Sequence, residues 1–392
     1  MKVLMFGWEF PPYHSGGLGV ACQGLVDALV SKNIGVTFVL PKHTPVSHAH
    51  AKFLYAGVQL KFADTKLVAY GTVESLGLEE GDTYFGSGLF AEIMAYANQV
   101  PGIIRDEQFD VIHAHDWLTY MAGVRAKKVS GKKLILHVHA TAYDQAGRQH
   151  VNPEQYAVER YGFMQADHII TVSHFVARTL MDEYGVPGDK ITVVHNGVGC
   201  ERTYTTIGFL EKKREEGYHT VLFLGRITIQ KGPDYFVELA KRVLEYEPKT
   251  IFIMNGSGDM KFAMIRRVHE LGLEKNFMFT DAWNEERNYL FRSVDVFVMP
   301  SVSEPFGLVP LEALLNGDTP VLISKQSGVS EVLTHALKVD FWDIDEMANK
   351  LIALLRNPHL HKQLTEYGKK DAEKVTWSRS ADGCISVYNR CI

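Results

Sequence analysis

The chain has 392 residues, 46% of them hydrophobic and 22% charged, with a formal net charge of −5. That length predicts two or three domains with sizeable cores, and the apolar share excludes long stretches of disorder. Residues 1–197 carry 16 Lys and Arg against 19 Asp and Glu, and the rest 25 against 27, so neither half has the basic excess of a polyanion binder.

The four cysteines, Cys22, Cys200, Cys384 and Cys391, form no CxxC pair and no metal-ligand spacing, which excludes a disulfide scaffold or zinc module and fits a reducing compartment. No signal-peptide pattern and no transmembrane stretch follows Met1, so a cytoplasmic location is expected. Lys127, Lys128, Lys132 and Lys133 read as a solvated helix end rather than a membrane-docking patch.

Short β-branched and aromatic runs alternate with amphipathic stretches from the start: Lys2 to Phe6, a helix from about Val20, then Val36 to Leu40. This is βαβ grammar and predicts a parallel sheet. Further strands are expected at Asp110 to His113, Lys133 to His139, His168 to Val172 and Lys190 to Val194. The segment from Gly199 to Gly217 lacks a clear period and is expected to connect two domains. A second series follows at His219 to Leu224, Thr250 to Met254, Asn276 to Thr280, Asp295 to Met299 and Thr319 to Ile323. From Ile344 the pattern is helical, with breaks at Asn357-Pro358 and around Thr376-Trp377. The fold class is therefore α/β, with two doubly wound, Rossmann-like parallel-sheet domains.

In open α/β sheets ligands bind beyond the carboxyl ends of the strands, so the residues after each strand carry the functional signal. After the first strand comes Trp8-Glu9-Phe10-Pro11-Pro12-Tyr13-His14-Ser15-Gly16-Gly17-Leu18-Gly19, whose glycines and helix start suit either a phosphate or a tight turn. It is not a GxGxxG fingerprint. His113, His115, Asp116 and Trp117 form a second group with His137 and His139, in which hydrogen-bonding histidines are the commoner outcome than a metal site. Arg226 and Lys231, five residues apart after the first strand of the second series, suit a diphosphate through a planar fork and a point charge. Finally, Pro300 to Ala313 carries Glu304 and Glu312 around a Pro-Phe-Gly turn that should open a helix near Gly307, whose free amides can receive a phosphate.

Together these clusters resemble the retaining GT-B glycosyltransferases, specifically the family 4 group related to glycogen and starch synthases. Glu304 to Glu312 resembles the E-x7-E signature, Gly16-Gly17-Leu18 the GGL loop, and His113 to Trp117 the HxHDW of glycogen synthases. The resemblance implies domains at 1–198 and 199–376 facing across a cleft, with a last helix at 377–392 returning to the first domain. It implies that Arg226 and Lys231 hold a donor diphosphate with backbone at Gly16, Gly17, Phe306, Gly307, Leu308 and Val309. Gly256-Ser257-Gly258 would line the base pocket, Glu312 would bind the ribose, Glu304 would lie by the donor sugar and His139 by the reacting carbon. His139, Glu304, Arg226 and Lys231 are thus the catalytic candidates, and Glu9, His115, Asp116 and Trp117 the acceptor-side ones.

Three departures stand out. His14 replaces the lysine of the KxGGL loop, Gly199 replaces an acidic residue after Asn-Gly-Val, and Ser327-Gly328-Val329-Ser330-Glu331 lacks a Gly-Gly pair. The expected function is transfer of a hexose, glucose foremost, from UDP- or ADP-glucose to a glycan acceptor, an α-glucan among the candidates, with no metal or other cofactor and no nucleic-acid partner. A nucleotide-sugar 2-epimerase and a non-catalytic nucleotide-sugar-binding protein are the alternatives.

Overall fold

The computed structural model describes residues 1–13, 16–46, 48–58, 87–200, 205–281 and 285–392. His14 and Ser15, part of the glycine-rich loop singled out above, lie outside them. The chain divides into two compact units, one made of Met1–Gly197 with Thr376–Ile392, the other of Val198–Val375.

In unit 1, β1 (Lys2–Phe6), β2 (Gly35–Leu40), β3 (Lys52–Tyr55), β4 (Val111–His115), β5 (Lys133–Val138), β6 (His168–Thr171) and β7 (Ile191–Val193) form one parallel sheet in the order β3-β2-β1-β4-β5-β6-β7. Helices α1 (Gly17–Ser31), α2 (Ser87–Ile103), α3 (Trp117–Ser130), α4 (Ala142–Gln145), α5 (Pro153–Gln165) and α6 (His174–Tyr184) connect them. The central strands β4 and β5 are buried along almost their whole length, including the histidines they carry.

In unit 2, α7 (Gly208–Glu215) precedes β8 (His219–Leu224), α8 (Pro233–Leu244), β9 (Thr250–Asn255), α9 (Lys261–Glu270), β10 (Phe277–Thr280), α10 (Glu285–Ser293), β11 (Val296–Met299), α11 (Val309–Gly317), β12 (Val321–Ser324), β13 (Leu337–Val339), α12 (Ile344–Arg356) and α13 (Pro358–Ala372). The sheet order β10-β9-β8-β11-β12-β13 is the six-strand doubly wound order. Its core packs Phe223, Phe236, Phe252, Met254, Val296 and Leu351 between strands and helices.

Helix α14 (Trp377–Cys391) belongs to unit 1 and packs on α1. The side chain of Thr376 caps it by accepting from the Arg379 amide, and the side chain of Asn357 caps α13, so both breaks read in the sequence are helix starts. The contact with α1 is close: a Cβ at Gly24 would meet the Trp377 indole at 2.2 Å. A Cβ at Gly197 would meet the Trp377 amide nitrogen at 2.1 Å.

Two features depart from expectation. The segment 199–217 is not aperiodic connection throughout, since 208–215 form α7, whose Leu210 is buried and whose Arg214 reaches the Ser293 carbonyl. An eight-residue helix with one buried side chain leaves no readable apolar period. Strands β3 (Lys-Phe-Leu-Tyr) and β13 (Leu-Lys-Val), at sheet edges, also lie outside the expected strands. Helix α11 opens as expected just after the Gly307 turn, with its N-cap at Leu308 and first residue Val309, Gly307 itself lying at a φ of +100°.

The α1–α14 packing is testable. Gly24→Leu forces overlap with the Trp377 ring, and overpacking of this kind costs about 1–3 kcal/mol. Chemical denaturation should show that loss, and an unchanged midpoint would mean that the terminal helix is not packed there.

Candidate active site

Where strand order reverses, the loops beyond the carboxyl ends diverge and leave a crevice. In unit 2 the reversal lies between β8 and β11, the two strands followed by the Arg226–Lys231 segment and by the Glu304 segment. The two loops touch through backbone: a Cβ at Gly232, which has a φ of +65°, would lie 2.3 Å from the Pro300 carbonyl oxygen. Only glycine fits there. The Val302 amide donates to the Gln230 carbonyl at 3.0 Å, which fixes the register of the two loops.

This stitching brings the charged groups together. Lys231 Nζ lies 2.5 Å from Glu304 Oε2, with both side chains mostly buried, and Ser301 Oγ donates to the same carboxylate oxygen at 3.3 Å. Arg226 Nη2 donates to Gln230 Oε1 at 2.9 Å. The Glu304 backbone is pinned on both sides, its amide donating to Gln326 O and its carbonyl accepting from Gly328 N, each at 2.9 Å. No side chain caps the start of α11, which is a positive helix pole after β11; Pro310 brings no N–H, and the Leu311 and Glu312 amides already donate to the Leu308 carbonyl. Glu312 is buried in the first turn of that helix.

Gly256 and Gly258 have a packing reason for being glycine. Their Cβ positions would meet the carbonyls of Gly225 at 1.9 Å and of Ile227 at 2.3 Å, so this loop lies directly against the backbone carrying Arg226. Ser257 completes the contact, its carbonyl accepting from the Ile227 amide at 2.8 Å, while its side chain is exposed.

In unit 1 the reversal lies between β1 and β4. His113 and His115 are inside β4 rather than after it, facing His137 of β5 and His139 just beyond. His113 Nε2 lies 3.1 Å from His137 Nδ1, and His115 Nδ1 lies 3.0 Å from His139 Nε2. The rings of each strand's pair stack with centroids 4.4 Å apart. His113 Nδ1 is hydrogen-bonded to the Tyr388 hydroxyl of α14. Burial drives the imidazole pKa of His113 down to about 3, helped by His139, and desolvation takes His139 itself to about 3. His115 and His137 are lowered for the same reason, so the cluster is neutral at ordinary pH.

Among the described residues, the imidazoles of His113, His115 and His137 offer ligand atoms within 4.8 Å of one another. One nitrogen of each pairs with a neighbouring histidine, whereas His115 Nε2, His137 Nε2 and His139 Nδ1 are buried with no hydrogen-bond partner.

The expected acceptor-side residues are buried. Glu9, 4% exposed, accepts from the Gly19 amide through Oε1 at 3.0 Å, so a carboxylate already occupies the start of α1. Asp116 is fully buried at φ +57° and ψ 168°, a strained region for any residue but glycine, and its Oδ1 accepts from the His139 amide at 2.6 Å. Trp117 is 3% exposed at the start of α3. Of these groups, Asp116 is the one that holds the His139 backbone. Gly16 and Gly17 differ, since a Cβ at either meets no described atom within 4 Å and Gly16 is extended. Neither packing against described residues nor φ demands glycine there.

The structure adds Ser301, Gln230 and Tyr388 to the residues read from sequence. The first two lie inside the motifs and carry the polar signal of strand-end residues. Tyr388 is 275 positions from its His113 partner and leaves no local trace.

Comparison with known proteins agrees with this layout. The profile described as Glycosyltransferase Family 4 matches residues 15–202, and the one described as Glycosyl transferases group 1 matches residues 209–371. The chain belongs to the GT-B glycosyltransferases. This transferase is 28% identical to an uncharacterized glycosyltransferase of Methanocaldococcus jannaschii, over 99% of the chain and 98% of that protein. It is 27% identical to a glycogen synthase of Mycobacterium tuberculosis, over 86% of the chain and 80% of that protein. Among solved structures, sucrose-phosphate synthase from Thermosynechococcus elongatus superimposes with a TM-score of 0.77 at 18% identity, covering 99% of this chain and 98% of that one. Anabaena HepE, solved in complex with UDP and glucose, gives a TM-score of 0.71 at 16% identity, covering 99% of each chain.

The neutral histidines make stability pH-dependent. The unfolded chain protonates each imidazole near pH 6.5 while the folded chain holds off until about 3 at His113 and His139, so unfolding takes up protons between those values. Stability should therefore fall as pH drops below 6.5, by about 1.4 kcal/mol per pH unit for each such histidine. His113→Asn should flatten that slope in denaturation curves at pH 6.5, 5.5 and 5.0. A slope unaffected by the substitution would mean that the buried imidazole is already charged.

Proposed function

We propose that this GT-B glycosyltransferase moves a hexose, glucose foremost, from a nucleotide-diphosphate sugar to a glycan acceptor with retention of anomeric configuration. The observation that carries the reading is the cluster at the unit 2 switch point, where Arg226, Lys231 and the uncapped start of α11 surround a strand-end crevice.

Breaking the bond between the sugar and the diphosphate leaves negative charge on the departing phosphate. The two cations and the helix amides are preorganised to stabilise it, and each such donor is worth about 3 kcal/mol in the transition state. Glu304 can then accept hydrogen bonds from sugar hydroxyls, and Glu312 from the ribose. Gly16 and Gly17 leave backbone open to a ligand in unit 1, and His139 is assigned to the reacting carbon on the family pattern. For retention, the acceptor oxygen bonds to the anomeric carbon on the face the diphosphate leaves, and its proton passes to a departing phosphate oxygen. A double displacement through Glu304 as nucleophile is less favoured, because that carboxylate is already engaged by Lys231 and Ser301. The glycogen synthase among the relatives and the glucose and UDP named with HepE support a glucosyl donor.

The test is a thermal-shift panel of UDP-, ADP- and GDP-hexoses, with and without Mg²⁺, on wild type and on the Arg226→Ala, Lys231→Ala double variant. A donor at a hundredfold its Kd adds about 2.7 kcal/mol of apparent stability. One donor should stabilise the wild type without metal and leave the double variant unmoved. Equal responses in both proteins would refute the assigned diphosphate site.

A further inference from the structure

Lys231 and Glu304 are assigned to different parts of one substrate, the lysine to the diphosphate and the glutamate to the sugar. In this structure they are bound to each other, Nζ to Oε2 at 2.5 Å. A phosphate oxygen held by that ammonium at an ordinary charge-assisted distance of about 2.8 Å would therefore lie within roughly 5 Å of the carboxylate. The carboxylate cannot easily withdraw. Its side chain is 7% exposed, Ser301 Oγ donates to the same oxygen, and the Glu304 backbone is tied on both sides to the 326–328 loop.

That proximity treats substrate and product differently. In a nucleotide sugar the second phosphate is esterified by the sugar and carries one negative charge, and the sugar presents hydroxyl donors toward a neighbouring carboxylate. After transfer the same phosphate is terminal, its second ionisation falls near pH 6, and at neutral pH it carries nearly one more charge and only acceptor oxygens. A mostly buried carboxylate is weakly screened, so the extra charge is felt.

We propose that Glu304 is a specificity-determining residue that favours the sugar-bearing nucleoside diphosphate over the bare nucleoside diphosphate left by transfer, and so speeds product release. The inference rests on the reading of Lys231 as a diphosphate ligand. It assigns the Lys231–Glu304 pair a purpose of its own: the lysine draws in any diphosphate, and the glutamate subtracts from that attraction unless a sugar covers the phosphate.

The prediction has an unusual sign, because removing an active-site carboxylate should tighten binding of the product. Calorimetric titrations of UDP, ADP and GDP, and of the corresponding monophosphates, would be run on wild type, Glu304→Gln, Glu304→Asp and Lys231→Ala. Glu304→Gln should bind the preferred nucleoside diphosphate about tenfold more tightly than wild type and the nucleotide sugar less tightly. Its monophosphate affinity should not change, since the monophosphate places no second phosphate beside Lys231. Glu304→Asp, which keeps the charge, should stay within about threefold of wild type for the diphosphate.

If Lys231→Ala weakens the diphosphate but Glu304→Gln fails to tighten it, or tightens the monophosphate equally, the discriminator role is overturned while the diphosphate site stands. If Lys231→Ala leaves every nucleotide affinity unchanged, or no nucleotide binds wild type at millimolar concentration, the site assignment itself fails and the proposal with it.

Discussion

The proposed donor site depends on one backbone contact at the point where strand order reverses in the second sheet. Gly232 lies against the Pro300 carbonyl so closely that no side chain could stand between them. Because β8 and β11 are neighbours whose chains depart in opposite senses, their following loops would otherwise separate. The contact and the Val302-to-Gln230 hydrogen bond hold them together, and every charged group of the candidate site hangs from one loop or the other. Gly256 and Gly258 extend the same principle, pressing a third loop onto the backbone that carries Arg226.

On that scaffold the electrostatics follow from placement. Arg226 and Lys231 follow β8, the uncapped start of α11 follows β11, and the Glu304 carboxylate is paired with Lys231. The cations suit a diphosphate, and the carboxylate, already bonded to lysine and serine, is poised to accept hydrogen bonds rather than to serve as a free nucleophile. In unit 1 the chemistry is the opposite. Four imidazoles are kept neutral by burial, and the strained Asp116 spends its carboxylate on the backbone amide of His139. Such strain persists only where surrounding structure holds it, and here it fixes the residue that the family pattern places at the reacting carbon.

Much of this was legible in the sequence because it is local. Arg226 and Lys231 share one loop, Glu304 and Glu312 one strand–turn–helix, and the caps Asn357 and Thr376 each act within three residues. What stayed hidden depends on distance or on shortness. The His113–Tyr388 bond joins residues 275 apart, and no local pattern marks it. The eight-residue α7, with one buried side chain, is too short to express a period. Glu9 and Asp116 accept from the Gly19 and His139 amides, and His115 pairs one ring nitrogen with His139 while its Nε2 has no hydrogen-bond partner; none of these contacts is marked by a local pattern. For Gly256 and Gly258 the motif was visible, but its steric reason needed the Gly225 and Ile227 carbonyls in place.

The central claim is that the diphosphate binds where the second sheet reverses. Amide hydrogen exchange with and without saturating UDP or ADP tests it most directly, because the amides in question belong to identifiable segments. The account predicts added protection confined mainly to residues 225–232 and 304–311, the loops after β8 and β11. Protection that instead centres elsewhere in unit 2, with those two loops exchanging as before, would contradict it.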